Sequence, residues 1–175
     1  MSGIIGKSKG HATGLVQKYP ANIPACDLLG DQITTIFANN TLSKIYYFKG
    51  NITDTFDTHG MWDNDAQKFV IPVGSAGVYS FCMQVNSHSV DDGEISTIQT
   101  VIDGHTANYS QNLPGHWQRY AHQTDDTMVY QVQTVIGLNA GQEVEFYWRQ
   151  NSGANVGMDA DFVRLAAHRV CSLTG

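Results

Sequence analysis

The chain is poor in charge. Only 15% of its 175 residues are Asp, Glu, Lys or Arg, against roughly 25% in an ordinary globular protein. Leu, Lys and Glu are all scarce, which argues against a helical bundle. No stretch approaches the roughly 18 consecutive apolar residues of a membrane-spanning helix, so no membrane insertion of that kind is expected. Basic residues number 10 against 16 acidic ones, a formal charge of −6. That balance excludes a general binder of nucleic acid or anionic membranes. There are 3 cysteines. Cys26, Cys82 and Cys171 lack metal-ligand spacing and form an odd set, so they read as reduced, small apolar residues. The 7 histidines fall in no HExxH pattern. With no nucleophile elbow, phosphate loop or Cys/His pair, the sequence predicts no catalytic residue, no metal and no cofactor. The chain reads as a non-enzyme.

What fills the gap is Gly (17 residues), Asn, Thr, Gln and Ser, the composition of a turn-rich β protein. The 3 Trp, 8 Tyr and 7 Phe exclude disorder. The length suits one domain with a sizeable core. From about residue 31 onward, β-branched and aromatic runs alternate with turn residues. The pattern predicts strands at 33–37, 44–48, 68–73, 78–85, 95–102, 128–138, 143–150 and 162–170. In the run 78–85, Tyr79, Phe81 and Met83 share one face and Val78, Ser80 and Cys82 the other. Asp103-Gly104 and Asn139-Ala140-Gly141 are hairpin signals. No amphipathic helix appears, and the class is an all-β sandwich.

Residues 1–30 follow different rules. Gly3, Gly6, Gly10 and Gly14 punctuate them, Pro20 and Pro24 follow, and no period survives, which predicts an extended N-terminal arm outside the head domain 31–175. Lys7, Lys9 and Lys18, with no carboxylate, give residues 1–26 a charge of +3, leaving −9 on the rest against the overall −6. A plain solvated tail is the ordinary fate of such a terminus. Its two apolar pairs, Ile4-Ile5 and Leu15-Val16, give it the alternative character of an anchor.

The block Phe56-Asp57-Thr58-His59-Gly60-Met61-Trp62-Asp63, with Phe69…Pro72 and Gly77-Val78-Tyr79-Ser80-Phe81, resembles the globular domain of the C1q/TNF superfamily in its bacteriophage and bacterial versions. Val101–Gly104, Val135–Val144 and Asp161–Leu165 support the likeness, which spans roughly residues 45–170. It departs from the usual pattern in a longer loop between Phe69 and Gly77, in Gln142 after Gly141, and in Val163 where glycine is common. No collagen-like stem precedes the domain. The resemblance implies a jelly roll of about ten strands forming a homotrimer, with both termini at one end of it.

The opening residues Met1–Gly6 resemble those of phage structural proteins. With the arm, they lead to the expectation of a virion protein made in a host cytoplasm: a trimeric capsid decoration, or cement, protein. Ile4, Ile5, Lys7, Lys9, Leu15, Val16 and Lys18 would hold the major capsid protein. The start carries no continuous apolar run of the kind a secretory signal needs. The alternatives are the receptor-binding head of a tail fibre, held by tail proteins, and a secreted C1q-like recognition module. His116, Trp117, Arg119 and Tyr120 form the densest set of binding-type side chains and are a candidate loop for a receptor or cell-surface glycan, against the plainer reading of aromatics packed on the sandwich. The acidic groups Asp91-Asp92-Gly93-Glu94, Asp125-Asp126 and Asp159/Asp161 read as exposed turns rather than calcium sites.

Overall fold

The computed structural model describes residues 23–30, 35–46, 48–49, 56–90, 95–104, 117–120, 126–158 and 163–173. In chain order the strands are β1 Ala25–Gly30, β2 Thr35–Phe37, β3 Ser43–Lys44, β4 Phe48–Lys49, β5 Phe56–Asp57, β6 Trp62–Asp63 and β7 Lys68–Val70. They continue as β8 Gly77–Val90, β9 Ile95–Ile102, β10 Trp117–Tyr120, β11 Asp126–Leu138, β12 Glu143–Gln150, β13 Val156–Met158 and β14 Arg164–Ser172. Four of these are two-residue pairings, so ten longer strands carry the sandwich.

One sheet runs β2-β13-β8-β14-β1-β4, with β11 on the far side of β8 and β5 beside β1. The other runs β10-β9-β12-β7-β6, with β3 on β12. Every described pairing is antiparallel. Alternation decides which face turns inward. Along β8, Tyr79, Phe81, Met83 and Val85 are each fully buried, and along β12 the even-numbered residues Val144 to Gln150 are buried in step. The two inner faces meet through rings, Phe69 against Phe81 at 5.3 Å and Phe37 against Trp148 at 4.9 Å, while Trp62 lies edge-on to its cross-strand partner Phe69 at 5.2 Å within one sheet. Each such side chain taken out of water stabilises the fold by roughly 1.5–3 kcal/mol.

The Phe56–Asp63 block has a physical reason to exist. Asp57 Oδ1 accepts from the His59 and Met61 amides at 3.2 and 2.9 Å, and Oδ2 from the Trp62 amide at 2.8 Å. One carboxylate therefore satisfies three amides in a tight turn that Gly60 closes at φ +63°. That turn delivers Met61, fully buried, into the core. Thr58 stitches the turn to β1: its hydroxyl accepts from the Ala25 amide at 3.0 Å.

The structure moves the domain boundary. Residues 25–30 fall within the expected arm, yet they are β1, which pairs with β14 from Ala25↔His168 to Leu29↔Arg164. Cys26 and Leu28 are buried in the core. The head therefore begins at or before Ala25. Residues 1–22 lie outside the described set, and the anchor residues Ile4, Ile5, Lys7, Lys9, Leu15, Val16 and Lys18 lie there with them.

Candidate binding surfaces

Strand direction sorts the loops onto two ends. At one end are the starts of β1, β8 and β12 and the finishes of β9, β11 and β14. The described chain begins and ends here, before β1 and after β14. Gln142 accounts for one departure from the family pattern. Its side chain accepts from the Asn139 amide at 2.8 Å and donates to Asp103 at 2.7 Å, tying two turns together. The long Phe69–Gly77 loop accounts for another: it carries Val73 outward, 95% exposed. Leu173, at 47%, is a second exposed apolar group at this end.

The outer faces of the two sheets differ in charge. On the β12 sheet, Lys68 reaches Glu143 at 2.6 Å, and Lys44 pairs with Glu145 while standing 5.2 Å from the exposed Tyr46 ring. The Glu143 partner raises the Lys68 pKa. On the β8 sheet the cross-strand rows read Val135–Ser80–His168–Ala25, Gln133–Cys82–Ala166–Asp27 and Gln131–Gln84–Arg164–Leu29. The formal charges in these rows are Asp27 and Arg164, and they cancel. Arg164 Nε donates to Asp27 Oδ1 at 2.9 Å and a second guanidinium nitrogen to Oδ2. That carboxylate raises the arginine pKa. Val129 (50% exposed) and Val135 (59%) stand out on this face. On the other side of the sheet, at β1, β5 and β14, a cavity of about 670 Å³ is lined by Ile23, Ala25, Phe56 and Ala166 together with the charged Asp27 and Arg169. A small-residue, charge-poor face of four strands is the kind that another protein covers.

The candidate recognition loop is corrected in part. Trp117–Tyr120 is a strand, β10, paired with β9 from Trp117↔Ile98 to Tyr120↔Ile95. Leu113-Pro114-Gly115 signals a loop strongly, but from Trp117 to Tyr120 the ladder to β9 wins. His116 lies outside the described residues, as do Asp91–Glu94, Asp125, Asp159 and Asp161. Among the described residues no group of three or more His, Cys, Asp or Glu side chains is placed to hold a metal. No described helix is long and apolar enough to cross a membrane.

Sequence comparison is silent: no protein-family model and no curated protein matches the chain. Solved structures are not. The Eiger TNF of S. frugiperda superposes with a TM-score of 0.56 over 87% of this chain and 96% of its own, at 9% identity. The fold is a C1q/TNF-like jelly roll. The globular domain of the zebrafish complement 1qA protein agrees, with a TM-score of 0.52 over 85% of this chain and 98% of its own, at 14% identity. At such identities the likeness concerns the fold, and it does not point to a bacteriophage type.

The sequence did not single out the tip opposite the termini. There the turn after β2 meets the turn between β12 and β13. Gln150, fully buried, donates to Phe37 O at 3.2 Å and Ala154 O at 2.8 Å and accepts from the Ser152 amide at 2.6 Å. A glutamine ending a strand gives no local signal of this role, because one of its partners is 113 residues away.

Proposed function

We propose that this chain is a non-enzymatic attachment and display module that works as a homotrimer. Its N-terminal segment fastens three C1q/TNF-like heads to a larger assembly. The observation that carries this reading is that the start of β1 and the finish of β14, where the described chain begins and ends, share one end of the sandwich, beside the exposed Val73 and Leu173. A head held there turns its opposite tip outward. The charge-poor face of the β8 sheet supplies the surface for the neighbouring subunits.

The assembly we propose is a virion, with the chain as a capsid decoration protein. That choice rests on the sequence: a basic arm on an acidic body, and an opening like that of phage structural proteins. Ile4, Ile5, Leu15 and Val16 would provide apolar anchors, and Lys7, Lys9 and Lys18 charge contacts to the shell. Three arms on one rigid trimer bind about 10²–10⁴ times more tightly than one, because each later contact is intramolecular. A second reading, a secreted C1q-like recognition module, is favoured by the complement domain among the structural neighbours.

Deleting residues 2–18 tests the attachment. The shortened chain is expected to stay folded and trimeric and to lose co-sedimentation with purified capsids, while the full chain saturates them. If the shortened trimer saturates capsids equally well, the arm is not the fastening. If the full chain binds no capsid, the virion reading fails and the secreted one takes its place.

A further inference from the structure

We propose that the tip opposite the termini binds an oligosaccharide through the outward carboxamide N–H groups of Asn39 and Asn40. Two turns build this surface, 38–41 and 151–155, and their side-chain bonds fix which end of each amide faces out. Asn39 Oδ1 accepts from the Gly153 amide at 3.1 Å. Asn40 Oδ1 accepts from an Arg149 guanidinium nitrogen. Both partners are donors, so both oxygens are turned inward and engaged, and each NH₂ group is left facing solvent. Asn39 and Asn40 are exposed, and so are Thr41, Asn151 and Asn155.

The surface is rigid before any ligand arrives. The Asn40 amide donates to Gln150 O at 2.7 Å, and Asn40 holds φ +57°. Beneath it, the buried Gln150 side chain bonds to both turns. Ordering cost is thereby settled in the fold rather than in the complex.

The chemistry of the exposed groups selects the partner. Within the two turns every exposed side chain is an amide, a hydroxyl or alanine. A protein hot spot needs aromatic or arginine anchors in pockets, and these turns present no ring. Nucleic acid needs a run of cations, and the described residues of these two turns carry no charge, the guanidinium that reaches them being that of Arg149. Adjacent neutral donors on a fixed frame match a ligand dense in hydroxyl and ring-oxygen acceptors, which is a carbohydrate.

The test uses the full chain on a printed array of bacterial and animal surface oligosaccharides, followed by titration of the best binder. The decisive variant is Asn39→Asp with Asn40→Asp. Each new carboxylate still accepts the inward bond, but the outward N–H donors become acceptors. The expected result is binding by the native chain, weakened about ten-fold or more in the variant, with an unchanged melting temperature. Should the pair destabilise the turn, Asn40→Asp alone carries the same reversal and gains a charge-assisted bond to Arg149. Binding should survive both Trp117→Ala and deletion of residues 2–18, which separates this site from strand β10 and from the arm. The proposal is overturned if the native chain retains no oligosaccharide, if the aspartate variants bind as tightly as the native chain, or if Trp117→Ala abolishes binding.

Discussion

Gly77 is the point at which the two longest pairings of the fold are most sensitive. It is the first residue of β8, paired with Leu138 of β11 on one side and with Ser172 of β14 on the other. A β-bulge between Arg169 and Cys171 brings β14 against it. A methyl group at position 77 would overlap the Cys171 carbonyl oxygen and stand 2.6 and 2.8 Å from Cδ and Cγ of Arg169. The arginine side chain can swing away, but the carbonyl belongs to the ladder and cannot. Close approach, rather than a turn conformation, is therefore what requires glycine here. Overpacking of this kind costs about 1–3 kcal/mol. We expect about 2–3 kcal/mol for Gly77→Ala because backbone must move, and so a melting temperature lower by roughly 4–12 °C in a chain of this size. Gly137→Ala is the control. A methyl there meets only Leu173 Cδ2, at 3.9 Å, and the change should fall within about 0.5 kcal/mol of neutral. Urea unfolding of both variants gives the comparison. Equal stability for Gly77→Ala and the native chain would refute the close-approach argument.

Other expectations follow from the same geometry. Asp57→Ala strands three amides and should cost about 2–3 kcal/mol in urea unfolding, with Asp57→Asn losing less; a neutral Asp57→Ala would show that water satisfies the turn. With a thiol reagent, Cys171, exposed, should react first and Cys82 more slowly. Cys26 should wait for unfolding, since burial pushes its thiol pKa up, and a single rate for all three would contradict this. Burial also raises the phenol of Tyr79 above its ordinary value, while its hydroxyl donates to Ser75 O at 2.6 Å. The folded chain keeps that proton after the unfolded chain loses it, so this contribution to stability is intact below about pH 10 and is lost as pH rises further. Tyrosinate absorbance should show Tyr79 and Tyr147 titrating late in the folded protein. All tyrosines ionising together near pH 10 would rule this out.

Along 78–85 and 143–150 the structure follows the period of the sequence, whereas the run expected as one strand at 44–48 gives only the two-residue pairings β3 and β4. Glu143–Gln150 is a strand with the predicted bounds, and Tyr79, Phe81 and Met83 face inward together. These signals are local, because alternation and hairpin turns act over a few residues. Strand β1 was not legible. Ala25–Gly30 sits between Pro24 and the following polar residues and buries two side chains, Cys26 and Leu28. Its strand state comes from β14, some 135 to 143 positions later. The tip was hidden for the same reason, since Asn39 and Gly153 lie 114 residues apart. The C1q/TNF-like block was readable because Asp57 and its three amides lie within six residues of one another. Trp117–Tyr120 misled because binding-type composition is common to exposed loops and to paired strands alike.

The proposed trimer requires that the charge-poor face of the β8 sheet be covered by two further copies of the chain. Light scattering of the full-length protein measures this directly, with Ala166→Arg, which sets a cation among Asp27, Cys82 and Gln133, as the partner variant. The expected native mass is three times the 19.2 kDa of one chain, falling to that of a folded monomer in the variant. A native chain that scatters as a monomer, or a variant that remains a trimer, would contradict it.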